Sequence, residues 1–159
     1  MNKKIHLYGL LLVFTLIQIV CMKFTPWFPD LMILIVVFAG IFQGYTEGIR
    51  MGFVAGIIRG SLSVYTLPLD VFLFPAVGAA SAALARRFYR QNPVVEVIIT
   101  IVAVFMIIAF HTLYLRIVSG NDFLGLWNIF TGSARAIAVT VAVSPLLFFM
   151  LRGLREQEE

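Results

Sequence analysis

Two histidines, a few carboxylates and a few serines are what this chain offers to catalysis, and their spacing does not gather them. Neither His6 nor His111 has a second histidine or a carboxylate three or four residues away, so no helix face presents paired metal ligands. The sequence contains no phosphate-cradling GxxxxGK[ST] and no HExxH. It also lacks the paired aspartates expected of a membrane phosphotransferase. Ser61, Ser63, Ser133 and Ser144 read as hydroxyls that bond along or between helices, without a base to activate them. The lone cysteine, Cys21, excludes an internal disulfide and a cysteine-based metal cluster. The expectation is a protein with no catalytic residue, no metal and no cofactor, and not an enzyme.

Charged residues inside apolar runs carry more information, because ionisable groups in a membrane are costly and face the interior. Arg59, Asp70 and Arg135 are placed this way, and the expectation is that Asp70 pairs with Arg59 or Arg135. The bland alternative is that both arginines snorkel to the interface. Asp30, Glu96 and Glu47 each stand at a predicted helix start, where a carboxylate complements the helix dipole. Arg116, Asn121, Asp122, Trp127 and Asn128 could line an outward pocket, or form only a polar loop with an interfacial aromatic.

The elements that hold these groups follow from composition. Apolar residues make up 61% of the 159 residues and charged residues 13%, which would leave a soluble fold with large exposed apolar patches. A helix needs about 20 apolar residues to cross a hydrocarbon core of ~30 Å. Six segments approach this, over approximately 5–22, 27–42, 47–65, 69–85, 94–118 and 127–151. Pro26, Pro29, Pro68 and Asn92-Pro93 punctuate the breaks, whereas the break between the second and third rests on Gln43, Gly44 and Thr46. The fold class is all-α: six transmembrane helices in one compact bundle, forming a single transmembrane domain over residues 1–159.

Lys3 and Lys4 before an apolar run ending near Cys21 mimic a signal peptide, but bulky Ile19 and Val20 argue for a retained first helix. The net charge of +4 comes from residues scattered through short loops, without interleaved aromatics, so nucleic acid is not an expected partner. With the N-terminus inside, Lys3, Lys4, Arg50, Arg86, Arg87, Arg90, Arg152 and Arg155 all fall in the cytoplasm. Lys23 and Arg116 are left outside. Both termini are therefore expected to be cytoplasmic, in a bacterial inner membrane or an equivalent one.

Glycine recurs at every fourth position through Gly40, Gly44, Gly48, Gly52, Gly56 and Gly60. In a bilayer, apolar side chains gain little by meeting each other, and helices associate through close backbone contact that small residues permit. Four residues turn a helix by about 400°, so the ladder drifts by about 40° per step. The third span is expected to be the crowded centre of the bundle. The fourth is small on nearly every side, with Ala76, Gly78, Ala79, Ala80, Ser81, Ala82, Ala83 and Ala85. These residues pack the protein's own helices, dock a partner's helix, or do both.

Pro29-Asp-Leu-Met-Ile-Leu-Ile-Val-Val-Phe, the ladder through Gly44, Gly48, Gly52 and Gly56, and the small-residue span ending at Arg86 and Arg87 resemble the rod shape-determining protein MreD family. That family often carries an aspartate a few residues after the last ladder glycines, where this chain has Arg59-Gly60-Ser61. The resemblance implies a non-enzymatic membrane scaffold of the cell-elongation machinery that binds MreC. Through MreC it would act with MreB and the elongation peptidoglycan synthases. A homo-oligomer is compatible with the same surfaces. A rival from another class is the substrate-binding S component of an energy-coupling-factor vitamin transporter, whose fold is similar to that expected of the MreD family. Such a component would need an outward pocket with convergent polar groups.

Overall fold

A computed structural model describes residues 3–24, 28–62, 67–88, 92–119 and 123–156. The side chains of 3–7, 22–23, 115, 119, 123–133, 135–136, 152 and 154–156 lie outside that description. The described residues form six helices and no strand. They are α1 (Lys3–Phe24), α2 (Leu31–Gln43), α3 (Tyr45–Ser61), α4 (Leu67–Arg87), α5 (Pro93–Ser119) and α6 (Phe123–Glu156).

Asp30 opens α2, its Oδ1 accepting the backbone N–H of Ile33 at 3.3 Å and satisfying one of the donors a helix start leaves orphaned. The next eleven residues, Leu31 to Ile41, are apolar or glycine and all buried. A helix that is apolar on every side belongs in an interior. α2 touches each of the other five helices, so it is the centre of the bundle. This corrects the expectation that the third helix would be central. The glycines of α3 mark where one backbone meets another, on one face only, while Phe53 and Ile57 on the same helix are exposed.

The break between α2 and α3 is a single residue. Gly44 has φ +95° and ψ −172°, a region essentially reserved for glycine, and its N–H bonds the carbonyl of Ala39. Gly44 is therefore a hinge point between two helices and not a rung of a packing ladder. A Cβ there would meet nothing within 4 Å.

The outside of the bundle is apolar and its inside holds polar groups. Phe72 on α4 and Phe149 on α6 are each 77% exposed, and Leu16, Phe105 and Ile117 are exposed on α1 and α5. Asp70, Thr100 and Ser144 are 0% exposed. An exterior this apolar suits a hydrocarbon solvent and is opposite to what water selects, and the few buried polar groups are where a membrane bundle keeps them. Among the described residues, two helices are long and apolar enough to cross a membrane, Leu67–Arg87 and Pro93–Val118. Tyr8–Cys21, Leu31–Gln43 and Ile137–Leu151 are shorter apolar stretches, whereas the sequence predicts six segments that approach spanning length. The 13 residues of α2 rise only about 20 Å, which its enclosure by five neighbours permits.

Candidate functional site

Four helices and the segment leading into α2 meet at Asp30. Its backbone N–H donates to Thr140 Oγ1 of α6 at 2.9 Å. Gln18 of α1 donates through Nε2 to Asp30 Oδ1 at 3.3 Å, and its own Oε1 accepts the N–H of Met32 at 3.3 Å. Asp30 Oδ2 pairs with the guanidinium of Arg59, at the end of α3. Arg59 also lies over the ring of Phe74 on α4, 5.4 Å from its centroid, so its charge rests on a carboxylate and an aromatic face together. Gln18 and Thr140 are 5% and 1% exposed, which makes these contacts interior ones.

The carboxylate that meets Arg59 is thus Asp30, whereas Asp70 had been the expected partner. A helix-start role and an ion pair are compatible because a carboxylate has two oxygens, and Asp30 uses one for each. Asp70 is enclosed in α4, where His111 Nε2 of α5 lies 3.0 Å from its Oδ1. The side chain of Arg135, the other expected partner, lies outside the description, as do those of His6, Trp127 and Asn128, and Asn121 and Asp122 lie outside the described residues altogether. Arg116 is exposed near the end of α5. Gln18, Thr140 and His111 went unassigned to this cluster in the sequence. A lone amide in an apolar span was the available signal for Gln18.

Two of the described serines are spent locally. Ser61 donates to the carbonyl of Ile57 at 2.7 Å and Ser144 to that of Val141 at 2.8 Å. Among the described residues no three histidine, cysteine or acidic side chains gather as metal ligands would.

α4 has two faces of different use. Its inner face receives the ladder in antiparallel order: Gly48, Gly52, Gly56 and Gly60 back onto Gly78, Phe74, Asp70 and Leu67, each step forward on α3 matching a step back on α4. A Cβ on Gly48 would stand 2.7 Å from the carbonyl oxygen of Gly78, and one on Gly56 2.5 Å from that of Asp70. Gly40 of α2 joins the same junction, 2.6 Å from Gly78 O by the same measure. Pro75 lies inside α4 beside Gly52, where the missing N–H releases the carbonyl of Val71 from its usual helical bond. The outer face carries Ala76 and Ala83, both exposed, with half-buried Ala79 and Ala80 between them. Their spacing of three, four and seven residues makes a single shallow strip on the helix.

The family model for the rod shape-determining protein MreD matches residues 3–156, nearly the whole chain. The chain belongs to the MreD family. No curated protein and no solved structure matches it. Membership of the MreD family carries a role in determining rod shape and an association with the membrane. MreD is a shape-determining structural family and not a known enzyme family.

Proposed function

We propose that this MreD-family chain is a non-catalytic, multi-pass scaffold of the bacterial inner membrane that docks the single-span protein MreC. Through MreC it would help link cytoplasmic MreB filaments to the peptidoglycan synthases of elongation. The observation that carries the reading is the family match over residues 3–156. Two features of the bundle support it. The outer strip of Ala76, Ala79, Ala80 and Ala83 gives a partner helix close access to α4, the kind of surface on which helices associate in lipid. The start of α3 and the end of α4 lie together, so Arg50, Arg86 and Arg87 gather at one end of the bundle. That end faces the cytoplasm under the positive-inside rule, and both termini with it.

Purification from mild detergent tests the reading. MreC should co-purify with the wild-type chain and be lost from Ala76→Leu/Ala83→Leu, whose melting temperature stays unchanged. If MreC is absent from the wild-type preparation and a vitamin raises the melting temperature instead, the chain is a substrate-binding component and the scaffold reading fails.

A further inference from the structure

α3 is shorter than its neighbour α4, and it carries an exposed charge well inside the height of the bundle. It packs against α2 and α4, and its remaining side shows Thr46, Arg50, Phe53, Ile57 and Ser61 as one exposed stripe at helical spacing. The glycine register gives the depth of each residue. Gly60 backs onto Leu67, so the outer ends of α3 and α4 are level. At the other end α3 starts three residues before Gly48, whereas α4 runs nine residues past Gly78, the partner of Gly48. α4 therefore extends about 9 Å beyond the start of α3 at the end that carries Arg86 and Arg87. Arg50 shares the charge of that end but is set back from it. By the same register it stands level with Ala76, near the middle of α4.

An exposed guanidinium at that depth is costly in a bilayer of uniform thickness. The side chain of Arg50 is 60% exposed, and its Nη1 donates to Glu47 Oε1 at 3.1 Å, so it already reaches back one turn toward the start of its helix. Counted from Glu47, the stripe still rises only 14 residues to Ser61, about 21 Å. α2, the other arm of the hairpin joined at Gly44, rises about 20 Å. α5 is different. Its exposed apolar side chains run from Val94 to Leu113, about 29 Å, which matches a hydrocarbon core of ~30 Å. One side of the bundle fits a bilayer, and the α3 side is too short by about a third.

We propose that the α3 side is a membrane-thinning face, where phospholipid headgroups of the cytoplasmic leaflet sink to the level of Arg50. Beside the outer strip of α4 and beside α5 the leaflet keeps its ordinary thickness. The inference rests on the multi-pass orientation proposed above. Lipid is the occupant because the stripe sets a cation next to apolar Phe53 and Ile57 on one helix face, as a headgroup phosphate is set next to its acyl chains. A short apolar face meets a bilayer by thinning it, and the charge of Arg50 holds the lowered headgroups in place.

Nitroxide depth measurements on the purified chain, in vesicles of phosphatidylcholine and phosphatidylglycerol, test the proposal. In a Cys21→Ser background, labels go to Thr46→Cys on α3, Ala83→Cys on α4 and Phe105→Cys on α5. The register puts Ala83 about 5 Å nearer the cytoplasmic end than Thr46. A uniform bilayer would therefore bury the Thr46 label more deeply. Thinning reverses the order, so the Thr46 label should collide more often with a water-soluble nickel chelate than the Ala83 label does. The uniform order overturns the proposal. So does a Thr46 label shielded from both oxygen and nickel, because polypeptide, a second copy included, then covers the face. A Phe105 label open to nickel overturns the multi-pass reading, and this inference with it. Melting in phosphatidylcholine vesicles with monounsaturated chains of about 14 to about 22 carbons supplies a second readout. The wild-type midpoint should fall as the chains lengthen. Arg50→Leu extends the apolar stripe, and its midpoint should fall at most about half as steeply. Parallel falls overturn the proposal.

Discussion

Arg59 meets Asp30 through the carboxylate oxygen that Asp30 does not use to cap α2, so one side chain both starts the central helix and ties it to the end of α3. The cap fixes the carboxylate's direction, and the direction selects the partner. Phe74 of α4 then places its ring under the guanidinium.

Asp30→Ala should destabilise the purified protein by about 3–5 kcal/mol, because it strands a largely buried arginine. Asp30→Asn keeps an oxygen for the cap and should cost less, about 1.5–3 kcal/mol for the lost charged hydrogen bond. Arg59→Lys should fall in the same range, since a compact ammonium does not reproduce the guanidinium's reach to both Asp30 and the Phe74 ring. Thermal melts in one detergent rank the three. Equal stability of Asp30→Ala and wild type would contradict the pair.

Glycine positions should separate into three groups when changed to alanine. Gly48→Ala and Gly56→Ala push a methyl group into the backbone of α4 and should cost about 1–3 kcal/mol or more, as overpacking does. Gly44→Ala meets empty space but forces alanine into a strained backbone, at about 1–3 kcal/mol. Gly9→Ala and Gly153→Ala meet nothing and should be neutral or slightly stabilising. A stability series in which Gly9→Ala matches Gly56→Ala would sink the close-contact account of α3 and α4.

Much of this bundle was legible because lipid imposes simple rules. The helices and their breaks follow from apolar run length, and the one-residue joint at Gly44 falls where only Gln43, Gly44 and Thr46 interrupt the pattern. The ladder glycines other than Gly44 were visible as close-contact residues, but their partner was not, since spacing alone does not say which backbone comes near. Centrality was misread for a related reason. It belongs to the all-apolar run from Leu31 to Ile41, which reads in sequence like any membrane span. The pairing of Arg59 with Asp30, 29 residues apart, depends on how α2 and α3 lie against each other. The same holds for Asp70 and His111, whose helices carry no local pattern linking them.

The apolar exterior predicts an asymmetric response to charge. Phe105→Leu on the exposed face of α5 should leave the melting temperature and membrane insertion unchanged. Phe105→Arg should cost about 2.5–3.5 kcal/mol of insertion free energy if that position lies near the bilayer centre. A glycosylation-based insertion assay reads the difference. Equal insertion of both variants would argue against a lipid-facing α5.

Site-specific crosslinking tests the docking claim most directly. With Cys21 changed to serine, the chain has no other cysteine, and single cysteines can be placed at Ala79, Ala83, Phe105 or Phe149. In membranes containing cysteine-substituted MreC, Ala79→Cys and Ala83→Cys should crosslink to its transmembrane helix, while Phe105→Cys and Phe149→Cys should not. Crosslinks confined to Phe105→Cys or Phe149→Cys, or none from any position while both proteins are present, would contradict docking on the outer face of α4.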